Sequence, residues 1–272
     1  MSCIINKKYK IIEKIGEGTF GKIFKSININ NNKELVVKIQ YKDVINALKH
    51  EAKIYRYLSD CSFIPQIYNY GTEQGFHYII IDLLKSSLYD ISLNNNQILS
   101  YFYDSINIIE FIHNKNLLHR DIKPENFMIN EKDQLFIIDF GLTTFYIEKN
   151  ENIKEKKIDK LIGTPNYCSL NIHEGFLPTR RDDIESICYS FMYNFCKNLP
   201  WQILSKSSDT SYNKIELFNK IYNFKKSSLE FYLSMPGEIV TILYYSRNLK
   251  FIEKPNYNYI KNTIKNLKSL NK

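Results

Sequence analysis

His119-Arg120-Asp121-Ile122-Lys123-Pro124-Glu125-Asn126, followed downstream by Asp139-Phe140-Gly141, decides the reading of this chain. In this spacing Asp121 supplies a carboxylate that can orient a hydroxyl group. Asn126 supplies an amide oxygen and Asp139 a second carboxylate, a hard-oxygen pair suited to Mg²⁺. Asp139 follows a short apolar run, Leu135 to Ile138, which reads as a strand. A lone loop Asp is usually a turn or helix cap, but the joint pattern of base, amide and metal carboxylate rarely arises by chance. His119 reads as a packing residue rather than a ligand or base.

Working outward, the chain has 272 residues, of which 44% are hydrophobic, enough for a sizeable core in one or two domains. No apolar run reaches the length of a membrane span. Met1 to Lys14 has no apolar stretch of the kind a signal peptide carries. Cys3, Cys61, Cys168, Cys188 and Cys196 show no metal-binding spacing, so free thiols in a reducing, cytoplasmic setting are expected, with the nucleus also accessible. The net charge is +8, but lysine is dispersed rather than blocked. That excludes a dedicated nucleic-acid patch and reads as a solvated basic surface; attraction to acidic or phosphorylated substrates is the sharper reading.

The first part of the chain reads as strands with one helix. Tyr9 to Ile15, Lys22 to Ile29 and Glu34 to Gln40 are β-rich, and Gln66 to Tyr70 and Phe76 to Asp82 add two more strands. Asp43 can cap a helix running to about Leu58. After Leu84 the periodicity becomes helical. Gln97 to Lys115 and Asp183 to Cys196 carry apolar residues at helical spacing, and further helices are expected over Tyr212–Phe224, Glu238–Asn248 and Tyr257–Leu267. Tyr146 to Lys160 is polar and charged and reads as a mobile surface loop. The fold class is therefore α+β and bilobal: residues 1–84 form a small β-rich lobe with one key helix, and 85–272 a larger, mainly α-helical lobe. A ligand cleft is expected between them, near the joint at Asp82 to Lys85.

Gly16-Glu17-Gly18-Thr19-Phe20-Gly21 is a G-x-G-x-x-G. Alone it is weak, because dinucleotide-binding folds use it too, with a helix opening at the third glycine. Here β-rich Lys22 to Ile29 follows, which favours a hairpin whose backbone covers phosphates. Lys38 closes the run Leu35-Val36-Val37-Lys38 and by itself could be a solvated strand-edge lysine. On the following helix, however, Leu48, Glu51, Tyr55 and Leu58 fall on one stripe. A carboxylate on an apolar stripe needs a partner, and Lys38 is the natural one.

The downstream half resembles the casein kinase I family of serine/threonine protein kinases. Gly163-Thr164-Pro165-Asn166-Tyr167-Cys168-Ser169-Leu170-Asn171 has Ser-Leu-Asn where most protein kinases have A-P-E, similar to that family's Ser-Ile-Asn. Thr179-Arg180-Arg181-Asp182-Asp183-Ile184-Glu185-Ser186 is close to its S-R-R-D-D-L-E-S. Leu199-Pro200-Trp201-Gln202, Arg247-Asn248-Leu249-Lys250-Phe251 and Lys254-Pro255-Asn256-Tyr257 match further motifs. The likeness runs from about Tyr9 to Leu267, a single kinase domain over 9–267. The vaccinia-related kinase branch fits less well, since it usually lacks the H-R-D arginine and the R-R-D-D run.

The resemblance implies transfer of the γ-phosphate of ATP, with Mg²⁺, to serine or threonine in acidic or phospho-primed protein segments. It implies Asp121 as the base that orients the hydroxyl, Lys123 as the neutraliser of the transferred group, and Asn126 and Asp139 as metal ligands. Lys38, fixed by Glu51, would reach the α- and β-phosphates. Ile15, Gly16, Glu17, Gly18, Gly21, Ile23, Val36, Ile81, Asp82 and Leu84 would line the nucleotide, Asp82 and Leu84 through their backbone groups. Arg180, Lys214 and Arg120 match positions that read the substrate's anion. Asp182 is expected to start its helix and brace the catalytic loop, and Trp201 and Cys188 to lie in the core. A monomer without membrane or specific nucleic-acid partners is expected.

Some residues depart from the family pattern. Thr144 replaces a usual lysine, a second family lysine aligns only loosely with Lys160, Val36 replaces an alanine, and Lys85-Ser86 replaces Gly-Pro. Asn171 leaves Arg247 without its usual glutamate partner. A catalytically silent scaffold would be expected to lose Lys38, Asp121 or Asp139, and all are kept. A small-molecule kinase would not be expected to carry the Gly163–Asn171 segment or Arg180–Asp183.

Overall fold

In the strand Glu34–Tyr41 the side chains of Leu35 and Val37 are fully buried on one face, while Val36 and Lys38 take the other. That alternation organises the first half of the computed structural model, which describes residues 3–18, 21–41, 47–148, 151–206 and 214–270. Six strands form one antiparallel sheet: β1 (Ile4–Ile5), β2 (Tyr9–Gly18), β3 (Gly21–Asn28), β4 (Glu34–Tyr41), β5 (Ile67–Glu73) and β6 (Phe76–Asp82), in the order β1-β2-β3-β4-β6-β5. Ile5, Tyr9, Leu35, Val37, Tyr78 and Ile80 make the core on one face. Helix α1 (Ala47–Tyr57) buries Leu48, Glu51, Ala52, Ile54 and Tyr55, and it packs against β5 and β6. Asp43, read as its cap, lies outside the described residues.

The chain divides into two compact units, Met1–Ser86 with Met128–Gly141, and Ser87–Phe127 with Leu142–Lys272. The division is not a single cut near Leu84. The segment carrying Asp139 belongs to the strand-rich unit, where Ile137 N–H donates to the Phe63 carbonyl at 3.1 Å. Short strands β7 (Ser86–Ser87), β9 (Phe127–Ile129) and β10 (Leu135–Ile137) pair in the order β10-β9-β7.

The second unit is helical. Helix α2 (Asn95–Asn114) starts at a capping box made by Asn94 and Gln97. Strand β8 (Leu117–Leu118) pairs with β11 (Thr144–Phe145), which bracket the catalytic-loop sequence. Helix α3 (Leu170–His173) leads to α4 (Arg180–Cys196), which is buried on all sides from Arg181 to Asn194. A helix with no solvent face needs no amphipathic stripe. Helix α4 packs against α2 and against α8 (Gly237–Asn248), and α2 against α9 (Tyr257–Leu270). Helices α5 (Gln202–Lys206) and α7 (Leu229–Leu233) were not read from the sequence, and α6 (Lys214–Ser227) continues three residues past the expected end at Phe224. Tyr212 and Asn213 lie outside the described residues. No described helix is long and apolar enough to cross a membrane, and none of the five cysteines forms a disulfide among the described residues.

The segment expected as a mobile loop is instead paired along its backbone. Strands β12 (Ile147–Glu148) and β13 (Glu151–Asn152) form a hairpin. Ile158 N–H then donates to the Gly175 carbonyl at 2.8 Å, and Leu177 N–H to the Lys156 carbonyl at 3.1 Å. Charged side chains hid this from the sequence, because backbone pairing does not require an apolar pattern.

Candidate functional site

In the strand-rich unit, Lys38 meets the expected partner. Its Nζ lies 2.8 Å and 3.1 Å from the two carboxylate oxygens of Glu51, which is 1% exposed. It also lies 3.0 Å from Asp139 Oδ1, a contact not read from the sequence. Burial alone would lower the Lys38 pKa, but Glu51 and Asp139 more than offset it and hold the ammonium charged. Register sets what shares the face of Lys38. Ile23 stands opposite Lys38, and Val36 stands opposite Ile81, so all four side chains line one side of the sheet. A β-bulge between Lys14 and Gly16 sets Gly16 opposite Ile23 and leaves Ile15, half-exposed, as the extra residue.

The glycines divide their labour. A Cβ at Gly21 would fall 1.9 Å from the Ile39 carbonyl oxygen, so that glycine is required by its own sheet. At Gly18 a Cβ would meet no described atom within 4 Å. Glu17 is exposed and paired with Lys14. The Asp82 side chain is held by Tyr68 Oη at 2.8 Å and the Gln66 amide at 2.8 Å, so only its backbone is suited to a flat ring edge. Leu84 is buried. Asp139 sits at φ +67, a strained region for a non-glycine residue, with its N–H 3.4 Å from Tyr55 Oη.

In the helical unit, the catalytic-loop residues converge on one carboxylate. Lys123 Nζ lies 2.8 Å from Asp121 Oδ2, and the Thr164 hydroxyl donates to Asp121 Oδ1 at 2.7 Å. Lys123 also reaches Thr164 Oγ1 at 3.3 Å. Asn126 Nδ2 donates to the Asp121 carbonyl at 2.8 Å, which commits the amide nitrogen to the protein. His119, fully buried, accepts from the Asp121 amide through Nδ1 at 3.3 Å, a packing role. Arg120 stands at φ +69, and a Cβ at Gly163 would fall 2.6 Å from the Arg120 carbonyl oxygen, so the Gly163 turn fits only as glycine.

The brace of the catalytic loop is Asp183, not Asp182. Asp183 accepts from the amides of His119 and Arg120, each at 2.9 Å, and from His113 Nε2 at 3.0 Å. Burial would raise its pKa, but these donors more than offset it and hold it below the usual value. Asp182 caps α4 instead, bonding the Thr179 amide at 2.7 Å and Ser169 Oγ at 2.6 Å. One residue along a helix turns the side chain by about 100°, so the two adjacent acids serve opposite neighbours.

Two of the three residues read as an anion set hold side-chain bonds within the protein. Arg120 Nε donates to the Leu142 carbonyl at 2.5 Å. Arg180 bonds Tyr146 Oη at 3.2 Å and the Ile252 carbonyl at 2.5 Å, with its guanidinium over the Tyr146 ring. Lys214 is the first residue of α6. Trp201 and Cys188 are core, as read. Thr164, Asp183 and Glu185 were missed as partners; only the Gly163-Thr164 motif carried a hint of the first.

Asn126 in the helical unit and Asp139 in the strand-rich unit each carry an oxygen donor of the kind Mg²⁺ takes. Among the described residues no cluster of three or more His, Cys, Asp or Glu side chains forms a protein-only cage. A family model described as "Protein kinase domain" matches residues 9–259. The match spans both the Lys38–Glu51–Asp139 constellation and the Asp121–Lys123–Thr164 constellation, and domains of this kind use ATP and act on proteins. The chain belongs to the protein kinase family.

Proposed function

We propose that this kinase is serine/threonine-specific and of the casein kinase I type, transferring the γ-phosphate of Mg-ATP to acidic or phospho-primed segments. The observation that carries the reading is Lys123 bridging Asp121, at 2.8 Å, and Thr164, at 3.3 Å. A lysine two residues after the carboxylate supports serine or threonine as the acceptor, by resemblance to that branch.

In this reading Asp121 orients the acceptor hydroxyl and Lys123 neutralises charge on the transferred group. Asn126 and Asp139 hold Mg²⁺, which supplies charge neutralisation at the phosphates when bound. Lys38, kept charged by Glu51, contacts the α- and β-phosphates. The glycines of Gly16–Gly21 cover them, and Ile15, Ile23, Val36, Ile81 and Leu84 surround the base, whose edge bonds the backbone of Asp82 and Leu84. Such transfer needs positioning and charge rather than a covalent nucleophile. Arg180 carries the acidic preference through the N–H groups beyond its two bonds, with Lys214 and Arg120 as further members.

The test is phosphate transfer from Mg-ATP to casein by wild type and Asp139→Asn, followed by phosphoamino-acid analysis. Phosphoserine or phosphothreonine from wild type alone is expected. Phosphotyrosine, or full turnover by Asp139→Asn, would overturn the reading.

A further inference from the structure

Lys225 lies on α6, a helix whose sequence reads as a solvated, lysine-rich surface, yet the residue is 0% exposed. Its Nζ donates to the Pro165 carbonyl at 2.8 Å and the Cys168 carbonyl at 2.6 Å, and meets His173 Nε2 at 3.2 Å. It also stands over the rings of Tyr189 and Trp201, 4.5 Å and 5.6 Å from their centroids. Burying an ammonium is costly unless it is well bonded. Here backbone carbonyls, an imidazole nitrogen and aromatic faces solvate it, which ties the charge to the path of the main chain.

The two carbonyls flank one turn. The amides of Tyr167 and Cys168 both donate to the Thr164 carbonyl at 2.9 Å. Thr164 in turn donates its hydroxyl to Asp121 and accepts from Lys123. One ammonium on α6 is therefore linked through one turn to the hydroxyl that touches the proposed base.

We propose that Lys225 is a positioning residue for phosphorylation of protein substrates, its ammonium holding the turn Thr164–Cys168 so that Thr164 stays registered on Asp121. The consequence for substrate rests on the reading of Asp121 as the group that orients the acceptor hydroxyl. Loss of the ammonium then falls on the protein substrate and spares ATP, whose ligands lie elsewhere in the chain.

The groups facing Lys225 agree with a charged amine at neutral pH. Burial lowers its pKa to about 8, with Cys168 and Glu185 opposing that shift and Arg247 adding to it. His173, its pKa pulled down to about 2 by burial and by Lys225 itself, is the neutral acceptor. Burial pushes the pKa of the Cys168 thiol up to about 12 and that of the Tyr189 phenol well above its usual value, so neither competes as an anion.

Lys225→Met keeps the chain length and removes the charge. A bond to a charged donor is worth enough that kcat/KM for a peptide substrate should fall about tenfold or more, with the KM for ATP unchanged. Amide hydrogen exchange at Tyr167 and Cys168 should accelerate relative to the amides of β4. Parallel loss of the peptide and ATP constants, or unchanged exchange at those two amides, would overturn the proposal. Asp121→Asn run alongside separates the two ideas: if it retains turnover, the role of Asp121 fails, while the exchange readout still judges Lys225. Should Lys225→Met not fold, wild type decides on either side of the Lys225 pKa. Above it the neutral amine has two donors for three acceptors, so protection at Tyr167 and Cys168, corrected for intrinsic rates, should drop. Constant protection there would count against the proposal.

Discussion

Arg247 Nε donates to Glu185 Oε1 at 3.1 Å, so the arginine of α8 takes its counter-charge from the middle of α4. The guanidinium also bonds Tyr189 Oη at 2.6 Å and Tyr232 Oη at 3.2 Å. Glu185 in turn accepts from the Leu170 amide at 3.3 Å. Glu185 on α4 thus supplies the partner that Asn171 cannot, and it also touches the segment beside Asn171.

Arg247→Ala should destabilise the fold by about 3 kcal/mol or more, because it strands a buried carboxylate. Urea unfolding measures this, and Glu185→Gln should cost less, since the amide leaves no uncompensated anion. A loss for Arg247→Ala below about 1 kcal/mol, typical of surface pairs, would show that the pair carries no weight.

Lys38→Met should reduce turnover about a hundredfold, the usual scale for removing one preorganised charge from a transition state. It should also lower stability, because Glu51 is left buried and unpaired. Steady-state kinetics beside a melting curve separate the two effects. A change no larger than that of a surface control such as Lys10→Met would contradict the assigned role.

Gly163→Ala should displace the turn that carries Thr164. Gly163 lies at φ +88 and an added Cβ would press on the Arg120 carbonyl at 2.6 Å. Strain of this kind costs about 1–3 kcal/mol, and peptide turnover should fall with it. Wild-type kinetics in the variant would mean that the turn can shift freely.

Acid should unfold the protein partly through His173. Burial first, then the Lys225 ammonium, lowers its pKa to about 2 from an unfolded value of 6.5. A depressed folded pKa means that the unfolded chain binds the extra proton. The stability contributed by the neutral ring is full above the unfolded pKa and is lost as pH falls below it, at about 1.4 kcal/mol per pH unit. Denaturation midpoints measured from neutral to acid pH should fall less steeply in His173→Gln. Identical slopes would place the acid sensitivity elsewhere.

The strands around Val36 and Lys38 were legible because alternation exposes them, and the Glu51 partner of Lys38 because an acid on an apolar stripe demands one. The protein kinase family was legible because the His119–Asn126 and Asp139–Gly141 motifs stand at close spacing. Asp183, Glu185 and Lys225 were not. Asp182 and Asp183 are neighbours in sequence, and only the rotation of α4 decides which one meets the catalytic loop. Lys225 reads as surface until α6 is packed over the turn Pro165–Cys168. The sequence by itself determined most of the local elements and the kinase family, since periodicity and motif spacing are short-range. Tertiary structure alone decided the partners of Asp183, Glu185 and Lys225, because those contacts are made by helix packing across long separations that no local pattern encodes.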